Sequence, residues 1–154
     1  MAFLSSLNIP VSGMTAQSFR LDLIAQNIDM ADHVASTPEG AYKRQMVVFG
    51  EDKSFKRILA GRMAEGTLIP NVYDYTQLKG VKAVRVVNDE TPAEPVYSPD
   101  HPLADEYGYI YESNVNIAAE EIDAMEATNS FNACKQMYEA LQGIIQASLS
   151  LGKG

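Results

Sequence analysis

The sequence predicts an α+β fold: long antiparallel N- and C-terminal helices, coiled-coil-like, around a small β-rich middle region. Three observations carry this. A heptad-like stripe runs through Leu7, Val11, Met14, Ser18, Leu21, Ala25 and Ile28, stepping by fours and threes as one helix face does. A second runs through Ala124, Ala127 or Thr128, Phe131, Cys134, Tyr138, Leu141 and Ile145, broadened by Met137 and Ile144. Between them lie short β-branched and aromatic runs broken by prolines, which read as strands and turns.

The first helix is expected from about Leu4 to Ala31, regular from near Pro10. Proline is tolerated in a first turn but costs a hydrogen bond further in. Leu4 and Ile24 widen its stripe, while Gln17, Arg20, Asp22 and Gln26 fall off it. Residues 33–40 break the pattern, with Ser36-Thr37-Pro38-Glu39-Gly40 suited to a turn.

Tyr42–Phe49 then reads as a strand, Lys53–Arg62 can form a short helix, and Val81–Val87 reads as a second strand. Thr91-Pro92-Ala93-Glu94-Pro95 demands a turn or an edge. Val96-Tyr97 can pair briefly before the loop Ser98–Pro102, and Tyr107, Tyr109 and Tyr111 alternate as on one strand face. The second long helix is expected from Ile117 to about Leu149. Asn114 or Asn116 can cap it, and Glu120, Glu121 and Asp123 suit the positive end of its dipole. These elements divide the chain into an N-terminal helical segment (1–36), a β-rich region (37–112) with a variable insert at about 50–79, and a C-terminal helix (113–154).

A formal net charge of −8 disfavours nucleic-acid binding and docking on anionic lipid. The first basic residue is Arg20, so a secretory signal peptide is not expected, and no apolar run is long enough for membrane insertion. The one cysteine, Cys134, excludes an intramolecular disulfide.

Catalytic and metal chemistry find little support. Asp29 and His33 share a helical spacing but lack further ligands. Asp100, His101, Asp105 and Glu106 lack the alternation of a calcium loop. Cys134 sits on an apolar stripe with no histidine near it, as a small packing residue does. No nucleophile elbow or phosphate loop occurs. The expectation is a non-enzymatic chain without cofactor or metal.

The opening Ser12-Gly13-Met14-Thr15-Ala16-Gln17, followed by Arg20-Leu21-Asp22-Leu23-Ile24-Ala25-Gln26-Asn27-Ile28, resembles the N-terminal signature of bacterial flagellar axial proteins. Two further stretches are similar to the rod protein C family of proximal-rod subunits. The first is Thr37–Gly40 with Tyr42-Lys43-Arg44-Gln45 and Val47-Val48-Phe49. The second is Tyr97-Ser98-Pro99-Asp100-His101-Pro102 with Ala104-Asp105, Gly108-Tyr109 and Asn114-Val115-Asn116. The chain departs from that family at Met30, at Asp32-His33-Val34-Ala35, at Asn129-Ser130-Phe131 and at Cys134.

The resemblance implies a structural subunit of the drive shaft that carries torque from the membrane ring to the hook. It implies export through the flagellar type III apparatus and residence in the basal body outside the inner membrane. The implied partners are further copies, other rod proteins and the membrane-ring and export-gate base. Leu7, Val11, Met14, Leu21, Ile24, Ile28, Phe131, Cys134, Tyr138, Leu141 and Ile145 are the candidate subunit-contact residues. Another rod or hook-family subunit, or a soluble helical adaptor or export chaperone, is the alternative reading.

Overall fold

A computed structural model describes residues 6–51 and 80–152. Helix α1 (Asn8–Asp29) is followed by β1 (Val34–Ala35), β2 (Gln45–Glu51), β3 (Val81–Asn88), β4 (Glu94–Tyr97) and β5 (Tyr109–Glu112), and the long helix α2 (Ile117–Leu151). The α+β class with a long helix at each end is therefore observed. The proposed short helix at Lys53–Arg62 lies outside the described residues.

Helix α1 starts at Asn8, ahead of Pro10. The proline falls in the first turn, where its missing N–H has no intrahelical partner to lose. Helix α2 is capped by Asn116, whose Oδ1 accepts from the Ala119 N–H at 3.2 Å. Asn114, the other capping candidate, instead accepts from the Arg44 N–H at 2.7 Å and donates to the Thr91 carbonyl at 3.0 Å.

Three cross-helix approaches fix the helix pair. Gly13 faces Cys134, Arg20 reaches Asp123 and Glu126, and Asn27 bonds Glu120. As one number rises the other falls, so the helices run antiparallel. The buried seam is built from small residues, Ala16 and Ala127, with Leu23 and Ile24. A Cβ on Gly13 would stand 2.7 Å from the Cys134 Sγ, so the glycine is what lets the helices come this close.

The α1 stripe read from the sequence is displaced from this seam by about one residue. Gly13, Arg20, Ile24 and Asn27 face α2 or the strands, whereas Val11, Ser18, Ala25 and Ile28 are exposed. Apolarity misjudged the face because polar side chains with partners on β2 and α2 occupy part of it.

The described strands form two antiparallel sheets, β2–β3 and β1–β5–β4. The β2–β3 hairpin pairs Gln45 with Asn88 and Glu51 with Val81. It packs on α1. Its near end meets α1 at Asn27, through Gln45. Its far end meets α1 at Ser12, whose Oγ accepts from the Val81 N–H at 3.1 Å. Roughly fifteen helical residues and roughly seven strand residues both span about 23 Å, so helix and hairpin lie along one another.

Three sequence readings change. β1 falls in residues 33–40, where no strand is expected, because two residues suffice to pair with Tyr111 and Glu112. The Tyr42–Phe49 strand begins only at Gln45, since Tyr42 and Arg44 turn towards the helices. Tyr107 lies in a turn before β5, leaving Tyr109 and Tyr111 on the strand.

Candidate functional site: a polar clamp and exposed helix faces

The most buried polar groups lie where α1, β2 and α2 meet. Glu120 is 0% exposed and Asn27 1%. Asn27 places its amide against the first residue of β2. Its Nδ2 donates to the Gln45 carbonyl and its Oδ1 accepts from the Gln45 N–H, each at 2.9 Å. The side-chain amide thus pairs with β2 as a neighbouring strand would. Nδ2 also donates to Glu120 Oε2, and Oδ1 accepts from the Tyr42 hydroxyl, again at 2.9 Å. Every hydrogen-bonding position of the amide is used.

Arg44 closes the other side. Its Nε donates to Glu120 Oε1, and its Nη2 donates to Asp123 Oδ2 at 2.6 Å. Arg20 from α1 adds ion pairs to Asp123 at 3.6 Å and to Glu126 at 3.7 Å. Burial would lower the Arg44 guanidinium, but its bonds and charge contacts with Glu120 and Asp123 outweigh this and hold it above its ordinary value. The Tyr42 hydroxyl is pushed up, first by burial and then by the Glu120 charge.

Sequence reasoning did not single out this clamp. Glu120 read as a helix-dipole residue, and Asn27 entered only as part of a signature. The available signal is that Asn27 lies four residues after Leu23 and three after Ile24, both buried, so it shares their helix face.

The sequence-derived contact set divides across the fold. Ile24 is buried and Cys134 faces Gly13. Leu7, Met14, Leu21, Phe131, Tyr138, Leu141 and Ile145 are half-buried, and Val11 and Ile28 are exposed. Extending the antiparallel register, the start of α1 at Asn8 meets α2 near Glu139. Helix α2 continues to Leu151, about 18 Å beyond. On α2, Met137, Ile144 and Leu151 repeat every seven residues and are 55%, 53% and 84% exposed. Ile122 and Met125 are also exposed. Among the described residues no helix is long and apolar enough to cross a membrane, and no group of His, Cys, Asp or Glu is placed to hold a metal ion.

Comparison with known proteins bears on this arrangement. No family model matches the chain. It is 31% identical over 153 residues to the flagellar basal-body rod protein FlgC of Salmonella typhimurium, covering 99% of this chain and 100% of that one. The chain belongs to the FlgC family of flagellar basal-body rod proteins. The FlgC proteins of Borreliella burgdorferi, 27% identical over the whole of both chains, and of Bacillus subtilis, 29% identical over 96% of this chain and 97% of that one, are similar along the same length. The FlgC-family chain is thus a structural rod subunit of the basal body.

Proposed function

We propose that this chain is a non-catalytic subunit of the proximal rod, and that it assembles by laying its terminal helices against those of neighbouring subunits. The observation that carries this is the exposed row Met137, Ile144 and Leu151 along α2. An apolar helix face of that length is normally covered. Other copies and other rod proteins supply the cover, near the membrane-ring and export-gate base. The same face, with the outward residues Val11 and Ile28, gives the chain several sides on which to meet neighbours.

A rod must pass torque from its helices to its outer surface. The clamp supports that role, because Asn27, Arg44 and Glu120 bond the strand region to both helices at one junction. It also argues against catalysis there, since Glu120 and Asp123 are both engaged by Arg44. The reading further puts the protein outside the inner membrane, after type III export.

Ile144→Asp tests the proposal. Ile144 is 53% exposed in the monomer, so the change should leave the monomer's circular dichroism and thermal unfolding unaltered while putting a charge on the contact face. Expressed in a motile bacterium lacking its own FlgC, the wild-type chain should restore swimming and rod assembly, and the variant should not. Full swimming with Ile144→Asp would remove this face of α2 from the interface.

A further inference from the structure

The turn between β4 and β5 presents a second exposed apolar surface, away from the helices. Tyr97 is 65% exposed and Tyr107 79%, and Leu103 and Tyr109 are exposed beside them. Tyr97 and Tyr109 pair across the strands and pack edge to face, with ring centroids 5.3 Å apart. The turn is held by its own hydrogen bonds. The Asp105 carboxylate accepts from the N–H groups of Tyr107 and Tyr109, and His101 Nδ1 accepts from the Leu103 N–H. Such rings are presented at little ordering cost, which favours binding.

The charge around this patch is one-sided. Residues 89–112 contain seven carboxylates and no lysine or arginine. The complement lies in the same sequence. Lys53, Lys56, Arg57 and Arg62 place four of the chain's 12 basic residues within ten positions, without an acid and with Phe55, Ile58 and Leu59 among them. We infer that the patch of Tyr97, Leu103, Tyr107 and Tyr109 docks the basic Lys53–Arg62 stretch of a second copy of the chain. This rests on the reading of the chain as an assembling subunit and adds an axial contact to it.

Tether length favours a second copy. Lys53 follows Glu51 by two residues, and Glu51 pairs with Val81 at the Ser12 turn of α1. The sheet that carries the patch joins the chain past the opposite end of α1, at Val34 and Ala35. From Ser12 to that end is about 26 Å of helix, whereas roughly six extended residues, as from Glu51 to Arg57, reach about 20 Å, so Lys53, Lys56 and Arg57 fall short of the patch on their own chain. A contact between opposite ends of successive copies is heterologous, the kind that builds an open axial assembly where the rotation between copies does not close. Charge complementarity of this kind sets register and encounter rate and weakens as salt screens it.

The test uses two full-length charge-reversed chains. One carries Asp100→Lys and Glu106→Lys, leaving Asp105 to hold the turn. The other carries Lys56→Glu and Arg57→Glu. Sedimentation equilibrium should show wild-type self-association at low salt that weakens about tenfold or more when about 1 M salt cuts the screening length to about 3 Å. Each reversed chain alone should associate about tenfold more weakly than wild type, and an equimolar mixture should recover most of the loss. Tyr107→Ala should weaken wild-type association without changing its salt dependence. A wild-type chain that stays monomeric at low salt, a mixture no tighter than its components, or association indifferent to salt overturns the contact. Restoration of swimming by the wild-type chain reports on the rod reading separately, so either can fail while the other stands.

Discussion

Each polar atom of the Asn27 amide has a partner in a place where water does not reach, which makes the position intolerant of near relatives. Asn27→Asp removes both donors and sets a carboxylate against Glu120. Leaving buried groups unpaired costs about 1–3 kcal/mol each, so urea unfolding should show a loss of about 3 kcal/mol or more, with part recovered when Glu120→Gln is added. Arg44→Met leaves the Glu120 charge uncompensated and should cost about 3 kcal/mol. The double change Arg44→Met with Glu120→Leu should cost less than the single one, because no buried charge remains. Tyr42 supplies a pH dependence. Its hydroxyl is held above its ordinary value of 10.0, so the folded chain keeps that proton more tightly than the unfolded chain does. The associated stability is complete below about pH 10 and falls as pH rises through the folded-state value. A pH series of thermal unfolding should show this alkaline decline, shallower in Tyr42→Phe.

The helices and the hairpin are joined at two points, at Ser12 and at Asn27 of α1, and each joint depends on side chains that no helix or strand pattern selects. At the Asn27 end the clamp does this. At the Ser12 end, the Ser12 hydroxyl donates to the Ile9 carbonyl at 2.7 Å and accepts from Val81. Gly80 lies against it with φ +86°, and a Cβ there would stand 1.8 Å from the Ser12 Oγ. Gly80→Ala meets both the left-handed backbone and that clash, so it should cost about 2 kcal/mol and detach this end of the hairpin. Amide protection of Val81 would report it directly. The seam between helices has a comparable constraint at Gly13, opposite the Cys134 sulfur. Gly13→Val should destabilise by about 2 kcal/mol, and Cys134→Ala in the same chain should restore part of it by removing that sulfur.

Protection from hydrogen exchange across the molecule should follow the seam and not the helix boundaries. Slow exchange is expected from Ala16 to Asn27 and from Glu120 to Cys134, where both helices and the strands bury one another. Exchange should quicken from about Ala140 to Leu151, where α2 has run past the start of α1. Under the proposed assembly, in which neighbours cover Ile144 and Leu151, the same amides should become slow in the rod. If the free protein already protects that end fully, subunit contact there is ruled out.

How much of this was legible beforehand follows from what each feature depends on. Both long helices, the Asn116 cap, the hairpin strand at Val81 and the family signature are local or periodic, and local chemistry is written in sequence. The α2 stripe from Ala127 to Ile145 matched the less exposed face of that helix for the same reason, although Met137 and Ile144, read as broadening it, lie exposed because α1 covers a narrower face. The α1 face could not be found that way. A stripe search counts apolar residues, whereas Arg20 and Asn27 lie inward because Glu120, Asp123 and Gln45 are there to receive them. Glu120 stands 93 positions from Asn27, and a hydrogen bond between distant segments leaves no period in either. The clamp, the two-residue strand β1 and the exposed row on α2 all arise only once the segments are brought together, which is why folding, and not the order of residues alone, set the surfaces this subunit offers.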